Sequence, residues 1–318
     1  MAVPNVSEII ATTIENRSRK IADNVTKNNA FLTRLKQRGN TRTFSGGRLI
    51  YEEISFAESG NAGWYTGYDS LPIAASDVIS AAEFDIKQAA CPVVISGLEQ
   101  LQNAGKEQMI DLMEARLNVA EATMANLISA GLYSDGTGTN GKQITGLDAA
   151  VPLTNTSGIY GGINRANWSF WRNQIKNDGN LNTLLASWNT LWSTLVRGAD
   201  RPDLILVDNG CWTTYVGLLQ AYQRFTDPSS ATLGFPSVKF MDADVVLDGG
   251  IGGYCGTNVA FFLNTKYLHF RPHASRNFVP LSPNKRYAIN QDAEVQILAW
   301  AGNLTCSGAQ FQGRFDGN

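Results

Sequence analysis

The chain has 318 residues and 43% apolar content, enough for a real core in one large domain or two smaller ones. Only 17% of residues are charged and the net charge is −2; with seven tryptophans and ten tyrosines this fits a protein that buries surface against neighbours, or an ordinary globular enzyme. The four cysteines, Cys91, Cys211, Cys255 and Cys306, form no C-x-x-C pair or zinc spacing, the N-terminus has no basic-then-apolar leader, and no run of eighteen apolar residues exists to span a membrane.

In chain order, Ile9, Ile10, Thr13 and Ile14, then Phe31, Leu32 and Leu35, recur at helical spacing and predict one or two helices over 5–38, ended by Gly39-Asn40. This arm is basic: Arg17, Arg19, Lys20, Lys27, Arg34, Lys36, Arg38 and Arg42 stand against Glu8, Glu15 and Asp23. Residues 46–86 reverse the sign. Glu52, Glu53, Glu58, Asp69, Asp77, Glu83 and Asp85 stand against Arg48 alone, and the segment has no lysine. It reads as two strands, 49–56 and 78–86, joined by roughly twenty residues that carry Gly60, Gly63, Trp64, Tyr65, Gly67 and Tyr68. A loop of that length has a job or is disordered, and its aromatics argue against disorder. Such an arm cannot bury both of its faces, and another subunit is the natural partner. The basic and acidic segments are either two solvated faces or a complementary pair that meets between subunits.

Alternation of Ala82, Phe84 and Ile86 with Glu83, Asp85 and Lys87 predicts a half-buried strand. Pro92 is expected to break the following run. Ser96 with Glu99 three residues later is a capping-box start, and Asn103-Ala104-Gly105 should end that short helix. A long helix is predicted over 106–130, with Met109, Leu112, Met113, Leu117, Ala120, Met124, Leu127 and Ile128 in one stripe; about 25 residues give a rod of roughly 37 Å. Residues 134–146 are a Gly/Thr/Asn-rich loop, and 147–183 are short strands and turns. Helix 181–196, buried strand 204–207 and helix 211–222 suggest an α/β subdomain. The rest is β-rich, with strands at 238–241, 244–247, 259–263, 268–272, 294–300 and 310–315.

Few motifs carry chemistry. Gly136-Thr137-Gly138-Thr139-Asn140-Gly141-Lys142-Gln143 nearly matches a phosphate-binding loop, but Gln143 offers no hydroxyl for Mg²⁺ and the loop follows a helix rather than a strand. His269 and His273 flank Arg271-Pro272, which excludes a helical metal face. Glu52 and Glu53 point to opposite faces of a strand; Asp242 and Asp244 could share one. The basic arm could neutralise phosphates, but without interleaved aromatics it would not read sequence.

This order of parts, with Trp64-Tyr65-Thr66-Gly67-Tyr68-Asp69, Val94-Ile95-Ser96-Gly97-Leu98-Glu99, Gly131-Leu132-Tyr133-Ser134-Asp135-Gly136-Thr137-Gly138 and Tyr160-Gly161-Gly162-Ile163-Asn164-Arg165, resembles the major capsid proteins of tailed bacteriophages with the HK97 fold, over essentially the whole chain. The resemblance implies an α+β fold of an N-terminal arm (1–45), an extended E-loop (46–86), a P-domain (87–180) with a spine helix at about 106–130, an A-domain (181–270) and a return to the P-domain (271–318). It implies hexamers and pentamers tiling an icosahedral shell in the virion, built in the host cytoplasm, with no active site, no cofactor and no membrane. Implied partners are the chain itself, a portal, a separate scaffolding or cement protein, and double-stranded DNA held without sequence specificity. Inter-subunit contacts would fall on Glu52, Glu53, Glu58, Trp64, Tyr65, Tyr68 and Asp69 of the E-loop. Arm residues Arg17, Arg19, Lys20, Arg34, Lys36, Arg38 and Arg42 would face a subunit or DNA. Some family members crosslink through an E-loop lysine; here that nucleophile is missing, which implies a non-covalent shell. The E-loop begins after about 45 residues, so a cleaved internal scaffolding segment is not expected. Two alternatives stay open: an encapsulin-like compartment for protein cargo, and a nucleotide-dependent enzyme using Gly136 to Lys142.

Overall fold

The computed structural model describes residues 30–102, 112–220, 237–281, 286–287 and 292–318. The arm enters as helix α1 (Ala30–Gln37), whose Phe31, Leu32 and Leu35 are buried. Gly39 ends it at positive φ: Asn40 N–H donates to Leu35 C=O and Gly39 N–H to Lys36 C=O, the paired bonds of a Schellman cap. Beyond the cap, Thr41 and Phe44 bridge in parallel to Phe270 and His273.

Strands β1 (Leu49–Ser55) and β2 (Ile79–Asp85) pair antiparallel, from Leu49 opposite Asp85 to Ser55 opposite Ile79. Strand β3 (Lys87–Ser96) follows and runs straight through Pro92, contrary to the expected break. Among the described strands it pairs only with β13 (Ala293–Cys306), so the missing proline N–H faces an open edge. Helix α2 (Gly97–Gln102) starts with the expected capping box: Glu99 N–H donates to Ser96 Oγ at 3.3 Å and Ser96 N–H to the Glu99 carboxylate at 3.0 Å. Its predicted end at residues 103–105 lies outside the described residues.

Helix α3 (Leu112–Leu132) lies on β3 and β13 and buries Ala120, Met124, Ile128 and Leu132. Leu127, expected in the same stripe, is instead 53% exposed. The apolar stripe of a straight helix drifts around its axis, and Leu127 has rotated off the sheet. Two-residue strands β4 (Ile159–Tyr160) and β5 (Ile163–Asn164) close through Gly161-Gly162, both at positive φ, as a primed hairpin turn requires.

Strands β6 (Gln174–Asn177), β7 (Leu204–Val207), β8 (Ser237–Phe240), β9 (Ala243–Leu247), β10 (Val259–Leu263) and β14 (Gly313–Asp316) form a mixed sheet in the order β6-β14-β10-β7-β9-β8. β7 reads Leu-Ile-Leu-Val because both faces are covered. Ile205 and Val207 meet α4 (Leu184–Leu195) and α5 (Asn209–Gln220) in a core built on Trp188 and Tyr215; Leu204 and Leu206 face the central core with Phe261 and Leu263. The sheet is not confined to 181–270. Its edge strand β6 and the neighbouring β14 come from segments expected to belong to the P-domain, because the chain's last strand closes the gap between β6 and β10.

The second sheet joins β11 (Leu268–Pro280), β12 (Arg286–Tyr287), β13 and β3. β11 and β13 run well past the predicted 268–272 and 294–300, and the polar Asn303 and Thr305 are buried inside β13. His269 is buried in β11, and His273 packs edge-on against Phe44 with ring centroids 5.0 Å apart. Asp242 and Asp244 take different partners, Arg201 and Arg38, each at 2.9 Å.

The central core joins α1, the β1–β2 hairpin, α3 and both sheets. Asp248, buried after β9, sits where they converge. It accepts from the hydroxyl of Tyr133, the residue after α3, and lies beside the backbone N–H groups of Phe31 in α1 and of Tyr254. Burial pushes its carboxyl up to about 6, from 3.8. A raised folded-state value means the folded protein holds the proton more tightly, so this contribution is complete below about pH 4 and is lost as pH rises through about 6. Relative to Asp248→Asn, the wild type should lose up to about 3 kcal/mol of unfolding free energy between pH 4 and 7. Urea unfolding of both proteins across that range checks this; a pH-independent difference contradicts it.

Candidate functional site

A two-stranded ribbon is marginal alone, and the structure shows what supports this one. Along β1, Ile50, Glu52 and Ile54 point inward and Tyr51, Glu53 and Ser55 outward; on β2, Ala82 and Phe84 point inward. Phe84 meets Tyr160 edge-on, and Glu83 N–H donates to Gly161 C=O at 2.9 Å. A Cβ on Gly161 would press on Ala82 and Phe84, so glycine there serves both the turn and the close approach. Arg165 braces the turn from behind. Its guanidinium lies over the Tyr160 ring and donates to Ala149 C=O and Ala150 C=O at 2.8 and 2.9 Å.

Glu52 departs from the expected role. It is buried against its own chain, accepting from Arg271 Nη1 and Thr305 Oγ1, both at 2.8 Å. Register on β1 sends Glu52 to the same face as Ile50 and Ile54, where β11 and β13 present those two partners. Asn303 completes the anchor: Nδ2 donates to Asp85 C=O at 2.8 Å, and Oδ1 accepts from Thr145 N–H of the glycine-rich loop at 2.9 Å. That loop is a turn rather than a phosphate cradle: it follows α3, and Thr139 and Asn140 both adopt positive φ.

Beyond the anchor the loop leaves the core. Phe56 packs on Trp168 and Phe170, the last ring contact before the tip. Trp64 and Tyr68 are then fully exposed, and Tyr65, Leu71 and Ile73 largely so. The tip is held by its own bonds. Asp69 accepts from Thr66 N–H at 2.8 Å and from Thr66 Oγ1, which keeps its carboxyl below the usual range, and Asn61 Nδ2 donates to Ala74 C=O at 2.6 Å. Glu53 and Glu58 are also exposed. An ordered segment with this much uncovered aromatic surface is the mark of an interaction site.

The arm's cations divide. Arg17, Arg19 and Lys20 lie outside the described residues. Arg34 is buried, and Arg38 ion-pairs with Asp203 and Asp244, so neither faces outward as expected. Lys36 and Arg42 remain at the surface. Sequence reasoning missed Arg271, Asn303, Thr305 and Arg165 as anchors. The one available signal was the polar pair Asn303 and Thr305 inside an apolar strand.

Removing Glu52 would leave the partly buried Arg271 without its counter-charge. Glu52→Ala is expected to cost about 3–5 kcal/mol, read as a lower urea midpoint, whereas Glu53→Ala on the opposite face should change it by less than about 0.5 kcal/mol.

Among the described residues no helix is long and apolar enough to cross a membrane, and no three His, Cys, Asp or Glu side chains are grouped to hold a metal ion. No family model matches the chain, and no curated protein matches it by sequence. Solved structures do. The chain is similar to that of the cyanophage A-1(L) capsid asymmetric unit, with a TM-score of 0.74 and 16% identity over 99% of both chains. It is similar to a chain of Mycobacterium phage Bobi (TM-score 0.60, 13% identity, 96% of both chains). It is also similar to the capsid of a native GTA particle (TM-score 0.60, 12% identity, 99% of this chain and 95% of that one). From arm to last strand, the chain has the HK97-like capsid fold, an α+β architecture.

Proposed function

We propose that this chain is the major capsid protein of a tailed bacteriophage, assembling into hexamers and pentamers of an icosahedral head around double-stranded DNA. The observation that carries the reading is an ordered loop rooted by buried polar anchors, with Trp64 and Tyr68 fully exposed at its tip, on a chain whose whole length follows capsid structures. In this reading the arm (1–45), E-loop (46–86), P-domain (87–180 and 271–318) and A-domain (181–270) act as one tile with no catalytic role. Glu53, Glu58, Tyr65 and Asp69 join the two anchors against a neighbouring copy. Lys36, Arg42 and the arm cations ahead of residue 30 face a neighbour or DNA. A portal and a separate scaffolding or cement protein are the further partners.

Burying one large aromatic removes about 150–250 Å² from water, about 4–6 kcal/mol at the usual coefficient. An exposed ion pair contributes about 0–1 kcal/mol. Aromatics therefore supply affinity and charges supply register. No lysine lies in 46–86, so the shell is held without E-loop crosslinks.

Negative-stain microscopy of the purified protein is expected to show closed particles that disassemble in denaturant without reductant or protease, as a non-covalent shell must. The double variant Trp64→Ala, Tyr68→Ala should give folded, soluble subunits and no shells. Normal particles from that variant would refute the role of the tip. Particles carrying protein cargo instead of DNA in the native host would move the reading to an encapsulin-like compartment.

A further inference from the structure

We propose that a hollow between α3, the start of β3 and the glycine-rich loop binds a small amphipathic carboxylate, an apolar chain of about eight carbons with one anionic end. The inference goes beyond the capsid reading and does not depend on it. The cavity, about 310 Å³, is walled by Ala89 of β3, Leu127 and Gly131 of α3, Ile144 after the loop and Trp300 of β13. Ala89 and Gly131 bring little side-chain volume, so strand and helix meet without filling the space between them. Leu127, turned off the sheet and 53% exposed, is one of the walls. At about 30 Å³ for each water-sized volume, the space takes about ten non-hydrogen atoms. That is the lower end of small-molecule sites and too little for a helix or strand.

Polar groups decide the class of ligand. Lys87 and Lys142 also line the cavity, and a second hollow of about 450 Å³ shares both lysines and adds Arg48. Asp85 is the one carboxylate lining either hollow. It lies 3.4 Å from Lys87, which also donates to Gly141 C=O at 2.7 Å. Lys142 is exposed, and neither it nor Arg48 has an ion-pair partner among the described residues. A further donor belongs to the wall itself. Trp300 is 1% exposed, and its indole Nε1–H meets no acceptor among the described residues. A buried donor without an acceptor is costly, and an oxygen brought in by a ligand is the partner it lacks. An excess of cations and N–H donors selects an anion, and the apolar walls select one with a hydrocarbon body.

A nucleotide does not suit the site. Lys142 belongs to the near-match of a phosphate-binding loop, but that loop spends its N–H groups on itself. Gly141 N–H donates to Thr137 C=O, Lys142 N–H to Thr139 C=O and Gln143 N–H to Gly138 C=O. A chain of phosphates would find lysines without the backbone cradle that phosphate loops supply. A carboxylate needs only one or two charged donors.

Isothermal titration calorimetry of the full-length protein with octanoate tests the site, with octylammonium and ATP as comparisons. Octanoate is expected to bind once per chain, with a Kd on the order of 0.1–1 mM for a ligand of this size. Octylammonium has the same tail and the opposite charge, and it should not bind; nor should ATP. Lys142→Ala should weaken octanoate about tenfold, the loss of one charge-assisted contact. Leu127→Trp, which fills the hollow from its own helix, should abolish binding, and Ala89→Leu does the same from the strand if the first variant does not fold. Octanoate should also raise the thermal midpoint of wild type and not of the filled variant, since the ligand binds the folded chain alone. Four results would each overturn the inference: no octanoate binding, equal binding of octylammonium, undiminished binding by a folded filled variant, or undiminished binding by Lys142→Ala. Binding of ATP instead would assign the hollow to a nucleotide. The capsid reading stands or falls separately, on whether particles form.

Discussion

A two-stranded ribbon with one polar face cannot hold itself out into solvent, because it has too little apolar surface to offset its own ordering. Everything distinctive in this molecule follows from how that ribbon is rooted. Ile50, Ile54, Ala82 and Phe84 give it an apolar sole, and Glu52 gives it a fixed position. A buried carboxylate tolerates only an arrangement that supplies its donors, so Arg271 and Thr305 set where β1 sits, whereas apolar contacts alone would allow it to slide. Asn303 and Gly161 then fix β2 through backbone groups. With its root determined, the ribbon carries an aromatic, acidic tip well away from the core.

The same device recurs elsewhere. Asp203 and Asp244 receive Arg38, and Asp248 gathers the start of α1, the end of α3 and the loop after β9. Each joins segments far apart in sequence at a point where apolar packing would not select one geometry. Such fixed points hold segments distant in the chain in one arrangement. The raised carboxyl of Asp248 makes one of them responsive to pH in the direction opposite to an ordinary ion pair.

Much of this was legible in the chain. The alternation of Ala82, Phe84 and Ile86 with charged residues gave the inward face of β2, because strand side chains alternate strictly. The reciprocal Ser96–Glu99 bonds and the Gly39 stop are local and formed as read. Pro92 misled, because a proline ends a strand only where its N–H is needed, and edge position is a property of the assembled sheet. Leu127 misled because helical spacing names a stripe but not the width of the surface that covers it.

Glu52 marks the boundary most clearly. Local sequence places it opposite in facing to Glu53, and that held. Which of the two carboxylates would be buried depended on Arg271 and Thr305, more than two hundred residues away, meeting on adjacent strands. The sequence by itself determined the order of elements, the acidic lysine-free loop and its aromatic tip, since periodicity and composition are local properties. Only the tertiary structure decided which charges are buried or ion-paired within the chain as anchors and which stay exposed. Those are long-range juxtapositions, set by how two sheets and a helix pack.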